Sequence, residues 1–103
     1  MGKFAEILGK MQAIHDAKDH DYSPNGEFGN FFESEKIGVP AWKGAYIRLQ
    51  DKYSRLCNLI LGKEAKVAEE RLEDTLLDLA NYAVIVLALR HYEREKLRHE
   101  NPT

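Results

Sequence analysis

The chain has 103 residues, enough for one domain, and carries 15 Lys and Arg against 17 Asp and Glu, a formal charge of -2. This balance gives no sign of a protein that coats DNA or RNA, because that role needs an excess of basic residues. A single cysteine excludes an internal disulfide framework and favours a reducing compartment. No stretch reaches the 18 or so apolar residues of a membrane span. We therefore predict one domain over residues 1–103, cytoplasmic, with neither a nucleic-acid polymer nor a membrane as partner.

The first part of the chain is predicted to hold one helix and a phenylalanine-rich loop. Apolar residues recur at steps of three and four over about residues 3–18, which predicts an amphipathic helix. Its apolar stripe consists of Phe4, Ile7, Leu8, Met11 and Ile14. Pro24 and the turn pair Asn25-Gly26 end the pattern, so residues 23–39 are predicted to be irregular. Since three exposed phenylalanines are unfavourable, we expect this loop to pack on the helices, with a short helical turn at about residues 30–36.

Two longer helices are predicted in the rest of the chain. Pro40 suits a first helical turn and Gly62 suits a helix end, so the second helix covers about residues 40–61. The third covers about residues 66–98, and no stretch alternates with the period of a strand. The predicted fold class is all-α, with three main helices. Because a domain of this size keeps little stability in reserve, we expect it to assemble into an oligomeric helix bundle.

An acidic row on the third helix is the most informative feature. Glu70, Asp74 and Asp78 are spaced by four, so their side chains share one helix face, and Asn81 joins that face a turn later. Over residues 76–89 the helix is apolar almost all round, which is typical of a helix buried on more than one face. Asp78 and Asn81 are therefore expected inside the protein. A carboxylate there needs a cation, an arginine partner or a raised pKa.

Two interpretations of this acidic row stay open. Carboxylates that face the inside of a helix bundle can hold a metal ion, and oxygen ligands favour Mg²⁺ or Mn²⁺. Alternatively, the acids form an ordinary solvated helix face, or pair with Arg48 and Arg55 of the second helix in a purely structural ion pair. The spacing of the residues does not decide between the two.

Two further groups of charged residues are candidates for a ligand site. On the second helix Asp51 is a candidate metal ligand. The basic residues around it, which could bind phosphate oxygens, are Arg48, Lys52 and Arg55. Near the end of the first helix, His20 and Asp21 lie beside the loop and could contribute to a ligand pocket, with Lys18 and Tyr22 nearby. For both groups the alternative is an ordinary charged helix surface.

Four segments, in this order, resemble a phage-associated family of small proteins linked to nucleotide modification. The segments are Lys18-Asp19-His20-Asp21-Tyr22, Gly29-Asn30-Phe31, residues 48–56 and residues 70–82. They look like a K-x-x-D-Y box, a D-K-x-x-R-L helix and an E-x-x-x-D-T-L-x-D-L-A-x-Y helix, and they cover most of the chain. That family is in turn similar to the MazG-like all-α nucleoside triphosphate pyrophosphohydrolases.

The resemblance implies a fold, a cofactor and a reaction. It implies a single MazG-like helical domain that forms a homodimer or homotetramer and uses Mg²⁺ (or Mn²⁺). The implied reaction is attack of water on a (deoxy)nucleoside triphosphate, which gives the monophosphate and pyrophosphate, in the host cytoplasm if the protein is phage-encoded. The implied catalytic residues are Glu70, Asp74 and Asp78, and the implied metal ligands are these three with Asp51. The implied substrate-binding residues are Lys18, Asp21, Tyr22, Arg48, Lys52, Arg55 and Asn81.

Two other functions stay open beside hydrolysis. Where the MazG-like proteins have E-E-x-x-E on the earlier acidic helix, this chain has only Asp51 among basic residues. Fewer acids hold fewer metal ions, so a module that binds or sequesters nucleotides without turnover is the first alternative. The second is a structural dimerisation protein whose acids pair with Arg48 and Arg55.

Overall fold

A computed structural model describes residues 2–22, 28–62 and 68–100, and within these ranges the chain is helical with no strand. The elements are α1 (Lys3–Tyr22), a 3-10 helix (Gly29–Ile37), α2 (Ala41–Ile60) and α3 (Ala68–Glu100). The predicted all-α class is confirmed, but the described residues form four helices rather than three. None of these helices is long and apolar enough to cross a membrane.

The ends of the helices follow the prolines and glycines. The first helix was predicted to end near residue 18 but continues to Tyr22, the last described residue before Pro24. Pro40 directly precedes α2, and Gly62, with a φ of 72°, lies just past its end. Only glycine adopts this left-handed backbone without strain, so Gly62 stops α2 where the sequence indicated.

The antiparallel pair α2 and α3 carries most of the core. Leu89 of α3 is 2% exposed and packs with Ala41 and Ala45 of α2, whose small side chains let the two helices approach closely. Nearer the other end of the pair, Leu56 and Thr75 are also buried. Burial of a leucine of this kind stabilises the fold by about 1.5–3 kcal/mol.

Within the segment predicted to be irregular, the short helical turn expected at about residues 30–36 is a 3-10 helix (Gly29–Ile37) that packs on α2. Phe28 precedes it with a left-handed φ of 64°, which is rare for a bulky residue, and is held there by burial in the core beside Leu89. The Ser34 hydroxyl donates to the Val39 carbonyl at 2.9 Å, which ties the helix to the start of α2. The expectation that the phenylalanines pack on the helices is confirmed, since Phe31 and Phe32 also contact this core.

The first helix lies against α3 along only part of its length. The Asn81 amide donates to the Met11 carbonyl at 3.3 Å, and Lys10 pairs with Glu73 at 3.5 Å. Ile14 is half-buried, but the same apolar stripe continues to Phe4, which is 79% exposed. The first turns of α1 therefore carry apolar side chains that the described residues leave uncovered.

One expectation about burial is wrong. The middle of α3 was expected to be buried on more than one face, yet Leu76, Val84 and Leu87 are exposed. Tyr53 of α2, which shares the helix with buried Leu56, is exposed as well. Among the described residues, the 3-10 helix packs on α2 and α1 packs on α3, and neither covers these side chains.

Replacing Leu89 by alanine should lower the free energy of unfolding by about 2–5 kcal/mol, because it opens a cavity between α2, α3 and Phe28. The matched control is Leu97→Ala on the same helix, where the side chain is 52% exposed and the change should stay within about 0.5 kcal/mol. Urea denaturation at one fixed protein concentration measures both. Equal losses in the two variants would contradict this assignment of the core.

Candidate functional site

The site is built around the carboxylate of Asp78, which joins three helices. Lys18 of α1 donates to Oδ1 of Asp78 at 3.1 Å, and Lys52 of α2 donates to Oδ2 at 3.0 Å. The side chains of Asp78 and Lys52 are only 20% and 22% exposed, whereas that of Lys18 is 56% exposed. The carboxylate is thus held on both oxygens, in partial burial, by cations from two other helices.

This arrangement sets the protonation state of Asp78. Desolvation alone would raise the pKa of its carboxyl group, but the hydrogen bonds and positive charges of Lys52 and Lys18 together outweigh it. The pKa of Asp78 therefore lies below its ordinary value, and the carboxylate is ionised at neutral pH. Of the three possibilities that the sequence left open for a buried carboxylate here, it has cationic partners, and these are lysines rather than Arg48 or Arg55.

A cavity of about 450 Å³ opens beside Asp78, between α1, α3 and the 3-10 helix. Its lining combines aromatic rings, cationic groups and amides. The lining residues are Ile14, His15, Lys18, Phe28, Asn30, Phe31, Arg48, Asp78, Asn81, Tyr82 and Ile85. We call it the aromatic cavity. A concave, mostly apolar site with a few polar groups is the usual form of a small-molecule site.

The aromatic rings in this cavity are held in fixed relative positions. Phe31 and Tyr82 meet edge to face with ring centroids 6.3 Å apart, and Phe28 contacts Phe31 in the same manner at 6.5 Å. The guanidinium of Arg48 lies over the Phe31 ring at 5.0 Å from its centroid. Stacking on the ring orients Arg48 toward the cavity while leaving its N–H groups able to donate.

A second cavity, of about 680 Å³, adjoins the first at Asp78, which lines both. It is more polar and lies between α2 and α3. The lining residues are Arg55, Asn58, Leu59, Arg71, Asp74, Thr75 and Asp78. We call it the polar cavity. It brings together two carboxylates, those of Asp74 and Asp78, with two arginine side chains.

The predicted metal ligands are spread out in the single chain. Asp51, Glu70 and Asp74 are exposed, and only Asp78 is half-buried. Over the described ranges 2–22, 28–62 and 68–100, no three Asp, Glu, His or Cys side chains are grouped so that they could hold a metal ion. Asp74 and Asp78 share the polar cavity, whereas Asp51 and Glu70 line neither cavity.

The structure brings together some of the predicted substrate-binding residues. Lys18, Arg48 and Asn81 line the aromatic cavity, and Arg55 lines the polar cavity. Lys52 contacts the site through Asp78. Two further predicted residues, Asp21 and Tyr22, lie at the end of α1, but their side chains are outside the described part of the chain.

The aromatic part of the site was not predicted from the sequence. Phe28 and Phe31 belong to the loop that was expected only to pack, and Asn30 and Tyr82 were given no role, yet all four line the aromatic cavity. The sequence feature that could have indicated this lining is the phenylalanine-rich loop after the K-x-x-D-Y box. When the 3-10 helix of this loop packs on α2, its aromatic rings come close to Lys18. The single cysteine, Cys57, lines neither cavity.

Comparisons with protein-family models, with curated proteins and with solved structures found no match to this chain. The resemblance to the phage-associated and MazG-like proteins therefore stays a prediction based on the four sequence segments.

The lowered pKa of Asp78 predicts how stability depends on pH. Because the folded-state pKa lies below the unfolded-state value of roughly 4, the ionised carboxylate stabilises the fold above that pH. The contribution is lost as the pH falls through the folded-state pKa. Asp78→Asn should therefore be less stable than the unsubstituted chain near neutral pH, and the difference should shrink below about pH 4.

The matched control is Asp74→Asn, which removes the same charge one turn away at an exposed position. Urea denaturation between about pH 3 and pH 7 measures the free energy of unfolding for all three proteins. The control should change it by no more than about 0.5 kcal/mol across this range. The same pH profile for both variants would mean that the lysine contacts do not stabilise the fold.

Proposed function

We propose that this chain binds a (deoxy)nucleoside triphosphate, with its base in the aromatic cavity and its phosphates directed toward Lys18 and Arg48. The single observation that carries the proposal is that one cavity of about 450 Å³ joins three aromatic rings to two cationic side chains. A nucleoside triphosphate has both matching parts, because its aromatic base suits the rings and its phosphates suit the cationic side chains. Binding is the function that this geometry supports best.

The charges at the site favour an anion. Lys18 and Lys52 contact the one negative group, Asp78, and Arg48 lines the same cavity as Asp78, so these four side chains together carry a net positive charge. Asp78 aligns both lysine ammonium groups before a ligand arrives, which lowers the entropy cost of binding phosphate. The amides of Asn30 and Asn81 lie in the same cavity and add polar groups to its lining beside the aromatic rings.

Hydrolysis of the bound triphosphate with Mg²⁺ or Mn²⁺ is a second proposal, supported by the polar cavity. Mg²⁺ in proteins commonly takes one or two carboxylates and completes its shell with water and substrate phosphates. Asp74 and Asp78 are two carboxylates in one cavity that adjoins the proposed nucleotide site, and they would hold the ion. The ion would polarise the phosphate and activate water.

The geometry also sets a condition for this second proposal. Both oxygens of Asp78 accept hydrogen bonds from lysines, so a cation must displace at least one of them to reach the carboxylate. Lys18, with the more exposed side chain, is the one that can leave at lower cost. Its ammonium would then be free to bind a phosphate oxygen, which couples metal binding to nucleotide binding.

The homodimer or homotetramer predicted from the sequence is likewise a proposal. It is supported by the large apolar side chains that α1, α2 and α3 leave exposed, since a monomer rarely leaves so many uncovered. If the chain serves only as a structural assembly module, neither nucleotide nor metal will raise its melting temperature. A nucleotide at about 100 times its Kd would add roughly 2.7 kcal/mol of stability.

Isothermal titration calorimetry with a panel of nucleoside triphosphates tests the binding proposal. Lys18→Met keeps the length of the side chain but removes its charge, and Arg48→Ala removes the second cation. Each should raise the Kd about tenfold or more, because a charge-assisted hydrogen bond is lost. Lys43→Ala is the matched control, since Lys43 lies on α2 against Trp42 and lines neither cavity.

No heat and no thermal shift with any nucleotide up to millimolar concentration would contradict the binding proposal. An unchanged Kd in Lys18→Met and Arg48→Ala would show that the nucleotide binds outside the aromatic cavity.

Pyrophosphate release in the presence of Mg²⁺ or Mn²⁺ tests the hydrolysis proposal. With turnover, Asp74→Asn should lower the rate at least a hundredfold while nucleotide binding without metal stays within a factor of about three, because its carboxylate lies outside the aromatic cavity. Nucleotide binding without pyrophosphate or phosphate release would leave the binding proposal standing and reject hydrolysis.

A further inference from the structure

One surface of α2 carries an uncharged row of side chains at heptad spacing, and its large members are about half exposed or more. Tyr46, Tyr53 and Ile60 repeat every seven residues, and they are 45%, 58% and 67% exposed. Gln50 and Cys57 fill the steps between them, so the row advances by four, three, four and three residues. This is the spacing by which a helix presents one continuous seam to another helix.

A second row with the same spacing runs along α3. Leu76, Ala80, Ala83 and Leu87 are again four, three and four residues apart and carry no charge. Leu76 is 47% exposed and Leu87 is 59% exposed, in a helix whose buried face is occupied by Thr75 and Leu89. Each helix of the α2–α3 pair thus has one apolar side in the core and another without a partner among the described residues.

Both rows lie on the same side of the α2–α3 pair. On α2, Gly44 faces the side chain of Ser34 and Arg48 lies over Phe31, so this flank is covered by the 3-10 helix. At 3.6 residues per turn, Tyr46 and Tyr53 lie on the opposite flank.

The same holds on α3. Asp78 and Asn81 contact α1, and Leu76, Ala83 and Leu87 lie on the opposite flank. Because α1 and the 3-10 helix meet at the aromatic cavity, they cover one side of the pair, and the two rows share the other side. We call this other side the outer face.

We infer that a second copy of this chain packs on the outer face, so that two α2–α3 pairs form a four-helix bundle. The inference deepens the oligomer proposed above by naming its interface, and it does not depend on the nucleotide. The large side chains of the face expose on the order of 600 Å². With the small residues between them, the face approaches the roughly 800 Å² that each partner gives to a standard interface.

The absence of charge from both rows favours an identical partner. In a two-fold dimer each surface meets itself, so a charged row would face a like charge on its copy. Neither row contains such a residue between Tyr46 and Ile60 or between Leu76 and Leu87. Heptad spacing on both helices also matches the packing of four-helix bundles, in which side chains of one helix fill the spaces of the next.

Sedimentation velocity of the full chain tests this interface. The unsubstituted protein should have at least twice the chain mass of 11.8 kDa. Tyr53→Glu should raise the dissociation constant on the order of a hundredfold, because it places a charge at the centre of an apolar interface. The matched control is Ile47→Glu, equally exposed at 55% and on the same helix but about a third of a turn away, which should leave the mass unchanged.

Leu87→Glu on α3, with Leu97→Glu as its control, gives an independent second pair in case Tyr53→Glu loses helix content by circular dichroism. Nucleotide binding should persist in Tyr53→Glu, since the aromatic cavity lies on the other side of the α2–α3 pair. The proposed interface and the proposed nucleotide site can therefore be contradicted independently of each other. A monomer at several hundred micromolar, or variants on the outer face that dissociate no more than their controls, would overturn the inference.

Discussion

The carboxylate of Asp78 links three helices of this protein through two ion pairs. It accepts from Lys18 of α1 at one oxygen and from Lys52 of α2 at the other, and it belongs to α3. An ionised carboxylate with little exposure to solvent needs such partners, because its lost hydration is worth several kcal/mol. The same contacts fix the position of α1, which otherwise packs on α3 through few apolar side chains. The two cavities open on either side of this group.

The charges of Lys18, Lys52 and Asp78 therefore contribute both to the stability of the fold and to the proposed function. A pair of lysines held by one carboxylate is pre-aligned for a phosphate group, but each must loosen its contact with Asp78 to give a full hydrogen bond to a ligand. Lys18, at the exposed end of the group, can exchange partners, whereas Lys52 is held between α2 and α3. We expect Lys52 to act mainly in keeping Asp78 in place and Lys18 to act mainly on the ligand.

The sequence predicted the helices well and their burial less well. Pro40 and Gly62 located α2, and the four-residue spacing of Asp74 and Asp78 correctly placed both on one cavity. The heptad spacing of Tyr46, Tyr53 and Ile60 does not by itself distinguish a core from an interface, because a row of apolar residues looks the same whether it faces its own chain or another. The choice of lysines rather than arginines as partners of Asp78 depends on how α1 lies across α3, which local spacing does not encode. The aromatic lining was missed for a similar reason, since the 3-10 helix brings Phe31 to Tyr82 across 51 positions of sequence.

The most direct test of this account is a crystal structure of the protein with a non-hydrolysable nucleoside triphosphate and Mg²⁺. We expect the base to lie beside Phe31 and Tyr82, with phosphate oxygens within hydrogen-bonding distance of Lys18 and Arg48. Nucleotide bound elsewhere on the chain, or an aromatic cavity filled by side chains of a partner subunit, would contradict it.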